Sequence, residues 1–101
     1  MSITLSKVKI EWLKGRDEAV KNRLSPKFLI ARRDQKKLEA SYNPISGILS
    51  LYVNCEPEIF SDDIQNFLGN SELTWRKTNL INDPPSYGVD MLVKEERYEK
   101  Q

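Results

Sequence analysis

The sequence predicts an α+β fold, with a small antiparallel sheet of four to five strands and one or two short helices packed on one face. Three observations carry this expectation. Apolar and polar residues alternate at Val8–Trp12, through residues 38–53, and at Val89–Val93, the period-two signature of half-buried strands. A Pro44–Gly47 turn divides the middle run with the residue types that close a hairpin. Residues 61–69 carry helix punctuation at both ends and one apolar stripe between them.

A chain of 101 residues matches one domain, so a single domain is expected over 1–101, with a charged tail from about residue 95. Apolar residues make up 39% of the chain, enough for one core at this size. Two Trp, four Tyr and three Phe among patterned aliphatics argue against wholesale disorder. No repeat, low-complexity run or Gly/Ser linker divides the chain.

Taking the elements in order, Val8, Ile10 and Trp12 alternate with Lys7, Lys9 and Glu11, which reads as a strand ended by Gly15. Ile3 and Leu5 lie in the opposite phase, so a bulge is expected near Ser6-Lys7. Asp17 to Leu24 is a helix candidate: acids lead, Val20 and Leu24 are one turn apart, and Pro26 follows. Residues 26–40 admit two readings. Phe28–Ala31 fits a short buried strand, which is preferred, while Ser25 and Pro26 could also open a helix.

The clearest local signal is Tyr42-Asn43-Pro44-Ile45-Ser46-Gly47-Ile48. Pro44 presets φ for a type I turn, and Gly47 can take the left-handed conformation that closes a four-residue loop. Tyr42 then faces Leu49, Ala40 faces Leu51 and Leu38 faces Val53, while Glu39, Ser41, Ser50 and Tyr52 point the other way. Beyond it, Ser61 suits an N-cap, Asp62 and Asp63 suit the positive end of a helix, and Gly69 suits its C′ position. Ile64, Phe67 and Leu68 form that helix's stripe. Leu73–Thr78 reads as a strand, Asp83–Gly88 as a loop because Pro84 and Pro85 cannot serve a central ladder, and Val89–Val93 as the last strand.

The chemistry is bounded by what is missing. With no histidine, neither the commonest general base nor a Cys/His zinc site can be built. The glycines at 15, 47, 69 and 88 are too scattered for a phosphate-cradling loop. Glu56, Glu58, Asp62 and Asp63 form the one dense carboxylate group, but their spacing matches no defined cation loop. Cys55 is the lone cysteine; its acidic neighbours raise rather than lower a thiol pKa. The expectation is a non-enzyme with no cofactor and no bound metal. The single thiol fits a reducing compartment. Neither the N-terminal residues nor the longest apolar run, Phe28–Ala31, has the pattern of a signal peptide or a bilayer span. A cytoplasmic protein without membrane association follows as the expectation.

Net charge is +1, yet residues 1–40 hold eleven Lys/Arg against five Asp/Glu, whereas residues 41–101 hold five against ten. Lys27, Arg32, Arg33, Lys36 and Lys37 are therefore the candidate phosphate-binding residues of an RNA- or DNA-binding alternative. If 26–40 is extended, Arg32 and Arg33 point to opposite faces, which weakens that alternative. Trp12 and Trp75 sit on the apolar phases of their segments and are expected in the core. Tyr87 with Pro84 and Pro85 forms the other candidate surface, since prolines lower the ordering cost and tyrosine is a common interface anchor. The preferred reading is a protein–protein interaction module, an adaptor, regulator or inhibitor of a protein partner, with self-association left open.

Overall fold

The computed structural model describes residues 2–70, 72–78 and 85–96. Its elements are β1 (Ser2–Leu5), α1 (Lys7–Asn22), β2 (Phe28–Arg33), β3 (Lys36–Asn43), β4 (Ile48–Val53), a 3-10 turn (Pro57–Phe60) running into α2 (Ser61–Leu68), β5 (Arg76–Lys77) and β6 (Tyr87–Glu95). The fold class is α+β, as the pattern predicts. The sheet is mixed rather than purely antiparallel, and it has six strands in the order β1-β6-β4-β3-β2, with β5 pairing on β6. β1 runs parallel to β6, Ser2 opposite Leu92 and Leu5 opposite Glu95. Only hairpin connections force antiparallel neighbours, and β1 leaves through a helix instead.

The strand expected over Val8–Trp12 is the first half of α1. Ser6 is the reason: its backbone is extended (φ −66, ψ 157) and its hydroxyl accepts a hydrogen bond from the Lys9 N–H at 3.3 Å, the N-cap arrangement. Ile10, Leu13 and Asp17 are buried, a stripe spaced three and four residues apart that a helix presents on one side. Val8 is 79% exposed, so its alternation with Ile10 is coincidental. The bulge expected at Ser6-Lys7 is the strand-to-helix junction, Gly15 lies inside the helix, and the helix expected from Asp17 begins ten residues earlier.

Residues 26–40 are extended and hold a hairpin, which overturns the helical alternative. β2 and β3 pair from Phe28–Ala40 to Arg33–Lys36, with a bulge between Leu29 and Ala31. Asp34 turns the chain at φ 56; Asp tolerates this region better than most non-glycine residues. The β3–β4 hairpin has the predicted register, with Tyr42 opposite Leu49, Ala40 opposite Leu51 and Leu38 opposite Val53. Asn43 Oδ1 accepts from the N–H groups of Ile45 (2.9 Å) and Ser46 (3.2 Å), and the Gly47 N–H donates to Asn43 O at 2.7 Å. Gly47 has φ +75. Gly47→Val therefore loses about 1 kcal/mol or more of stability, because a branched side chain is disfavoured at positive φ. Urea titration checks this; an unchanged midpoint contradicts it.

Leu38, Ala40, Tyr42, Leu49, Leu51 and Val53 from the hairpin, with Val89, Met91 and Val93 from β6, form the buried face of the sheet. Leu13 of α1, Phe60 of the 3-10 turn, and Ile64 and Leu68 of α2 close the core over it. The helices meet each other through Trp12 and Phe67, ring centroids 5.5 Å apart, and through Lys9 Nζ, which donates to Phe67 O at 2.8 Å. Ser61 is the first helical residue rather than the N-cap, because the 3-10 turn feeds directly into α2. Gly69 ends α2 at φ 74, the expected left-handed cap. Of the strand expected over Leu73–Thr78, only Arg76-Lys77 pairs. None of the described helices is long and apolar enough to cross a membrane.

Candidate partner-binding cleft

Tyr87 and Gly88 belong to β6 rather than to the loop expected over Asp83–Gly88. Pro85 is in the described loop just before β6, whereas Asp83 and Pro84 lie outside the described residues. β6 fixes where Tyr87 points. Alternation puts its side chain on the side of Val89 and Met91, towards the helices. β5 sets its neighbour: Lys77 is opposite Tyr87, and Trp75, two residues before Lys77, leans to the same side. Trp75 and Tyr87 are both partly buried against the core. The 3-10 turn and α2 supply the facing wall.

The result is an open cleft of about 260 Å³ lined by Pro57, Glu58, Ser61, Ile64, Trp75 and Tyr87. Its walls are mostly apolar and aromatic, with the Glu58 carboxylate among them. The Tyr87 hydroxyl donates to Glu56 Oε1 at 3.3 Å. Partial desolvation, then the charge of Glu56 and this hydrogen bond, hold the phenol above its ordinary pKa, so it is a neutral donor at physiological pH. Tyr87 was legible as a candidate from sequence. Trp75, expected in the core, packs partly buried against it, and its place in the cleft wall depends on the short β5 pairing, which carries no sequence signature. Trp12, also expected in the core, is 39% exposed on α1. It rests edge-on against Phe28 and Phe67, with Arg16 over its ring at 5.1 Å.

The basic candidates do not converge. Arg32 and Lys37 are cross-strand partners, as are Arg33 and Lys36, and the two pairs face opposite sides of the hairpin. Arg33, on the helix side, pairs with Asp63 of α2 at 3.2 Å. Lys27 lies over the Tyr52 ring at 4.0 Å, and Arg32 donates from Nε to Asp34 O at 3.0 Å. The carboxylates are likewise divided: Asp63 holds Arg33 and Glu56 holds Tyr87. Among the described residues no group of three or more His, Cys, Asp or Glu side chains is placed to hold a metal ion.

Cys55 is buried, and burial is the main cause of a thiol pKa above its ordinary value; Lys36 lowers it and Glu56 raises it. A neutral thiol is a poor nucleophile. Iodoacetamide at pH 8 is therefore expected to label native Cys55 at least tenfold more slowly than the urea-unfolded chain, read by mass spectrometry. Equal rates contradict this. Because the folded pKa is raised, the thiol's contribution to stability is present below the ordinary thiol range and is lost as pH rises through the folded value.

No protein-family model matches the chain, and neither a curated protein nor a solved structure matches it.

Proposed function

We propose that this protein is a non-enzymatic protein-binding module, an adaptor, regulator or inhibitor, that takes an apolar side chain of a protein partner into the Trp75–Tyr87 cleft. The observation that carries the reading is the cleft itself, an open aromatic-walled site of about 260 Å³ with Glu58 on its lining. That volume lies below the roughly 300–1,000 Å³ of small-molecule and cofactor pockets and suits a single anchoring side chain. Trp and Tyr are the residue types that dominate binding energy at protein interfaces. Nucleic acid is the weaker reading, because Arg32 with Lys37 and Arg33 with Lys36 lie on opposite faces and Asp63 already neutralises Arg33.

Immobilised wild-type chain and its Trp75→Ala variant, exposed to lysate of the source cell, test the proposal. A protein retained by the wild type after nuclease treatment and in high salt, and lost on Trp75→Ala, supports it. Retention that nuclease or salt abolishes would move the function to the nucleic-acid reading, since phosphate contacts weaken steeply with ionic strength.

A further inference from the structure

A second surface lies at the opposite end of the sheet order from β1 and away from the Trp75–Tyr87 cleft. β2 is the terminal strand, and among the described residues no strand pairs its outer edge. Between that edge and the C-terminal half of α1 runs a groove of about 430 Å³, walled by Arg16, Ala19, Val20 and Arg23 on the helix and by Phe28 and Leu29 on the strand. Among the described residues no carboxylate lines it. Arg16 stacks on Trp12 at 5.1 Å, and neither Arg16 nor Arg23 has a carboxylate partner among the described residues. The other cation of this half-helix, Lys21, is neutralised by Asp17 at 3.0 Å.

Three features converge here. A free strand edge offers unpaired backbone donors and acceptors to an extended chain. The bulge between Leu29 and Ala31 separates the start of the strand, Phe28-Leu29, where the groove lies, from the regularly paired Ala31–Arg33. Leu24, between the lining residues Arg23 and Ser25, has φ 60 and 94% of its surface exposed. It occupies the position after α1 at which glycine is ordinarily found, with the Ser25 N–H bonded to Val20 O at 2.8 Å. A strained, solvent-exposed leucine is unfavourable in the free chain, and such strain is concentrated at functional sites.

We infer that this groove binds an extended acidic segment of a partner protein, which adds as a short strand to the Phe28–Leu29 end of β2. Its backbone pairs with the strand edge, its acidic side chains meet Arg16 and Arg23, and an apolar side chain packs on Leu24. Arg16 and Arg23 are seven residues apart on one side of α1, about 10 Å along the axis. Acids on one face of the added strand, two or four residues apart, stand about 7 or 13 Å from each other, within reach of two long arginine side chains. This mode uses backbone hydrogen bonds for affinity and side-chain pockets for selectivity.

A phage library of random ten-residue peptides, selected on the full chain, is the test. Enriched peptides are expected to carry at least two Asp or Glu with same-face spacing and no central proline. A synthetic selected peptide is expected to slow amide exchange in β2, to bind at least tenfold more weakly when one central amide is N-methylated, and to lose at least tenfold affinity on Arg16→Glu with Arg23→Glu. Trp75→Ala leaves this binding intact, which separates this surface from the cleft. Leu24→Gly raises the melting temperature while weakening the peptide, a combination that a purely structural leucine does not give. No enrichment, enrichment without acidic bias, or protection confined to other elements overturns the proposal. So does equal binding of heparin through the same two arginines with no effect of N-methylation, which would make the groove a general polyanion site.

Discussion

Leu13→Ala is expected to destabilise the protein by about 2–5 kcal/mol, the range for truncating a buried leucine, whereas Val8→Ala stays within about 0.5 kcal/mol. The contrast follows from the helical register of Lys7–Asn22. Leu13 is 0% exposed and sits in the core cluster, while Val8 points to solvent on the same helix. A strand through these residues would give the opposite order, because Val8 would share the buried face with Ile10 and Trp12, and Leu13 would lie in the other phase. Urea unfolding of both variants reads the difference directly, with the midpoint falling and the slope unchanged for Leu13→Ala. Comparable losses in the two variants contradict the helix.

Phe60→Ala is expected to cost about 3–5 kcal/mol, a large share of the roughly 5–15 kcal/mol that holds a domain folded. Phe60 is 0% exposed and is among the largest fully buried side chains. It also ends the 3-10 turn from Pro57 and immediately precedes Ser61, so it anchors the segment that supplies one wall of the cleft. The loss of stability is therefore expected to come with weakened partner binding even where the variant stays folded. Ile59 is the control. It is 37% exposed in the same turn, and Ile59→Ala should fall within about 0.5 kcal/mol. Equal losses at Phe60 and Ile59 would mean that the turn does not pack as described.

The parts of the fold legible in the sequence are those where two signals agree. In the β3–β4 hairpin the turn residues Asn43, Pro44 and Gly47 set the same register as the apolar alternation, and the structure has that register throughout. Gly69 and the Ile64–Leu68 stripe place α2 in the same way. Alternation alone places the last strand correctly at Val89–Val93, but it misleads at the N-terminal end. Five residues of alternation around Val8–Trp12 satisfy a strand, but the three- and four-residue spacing from Ile10 to Asp17 is carried partly by a carboxylate. Asp17 is buried beside Lys21, so the helical stripe is not wholly apolar. The Asp34-Gln35 turn contains neither glycine nor proline, so the hairpin it closes had no punctuation to reveal it. The cleft was half legible. Tyr87 is legible as an aromatic anchor beside prolines, but its pairing with Trp75 depends on the antiparallel contact between Arg76-Lys77 and Tyr87-Gly88, a two-residue match with no sequence pattern of its own.

The most direct measurement of the cleft's role uses the fluorescence of one indole. The chain holds two Trp, so a Trp12→Phe variant leaves Trp75 as the reporter. Titrated with the partner recovered by the immobilised chain, this variant is expected to show a blue-shifted emission as Trp75 leaves water. Trp75→Ala on the wild-type background is expected to weaken the same complex at least tenfold, about 1.4 kcal/mol or more. A partner that binds Trp75→Ala as tightly as the wild type, with no change in Trp75 emission, would contradict the account.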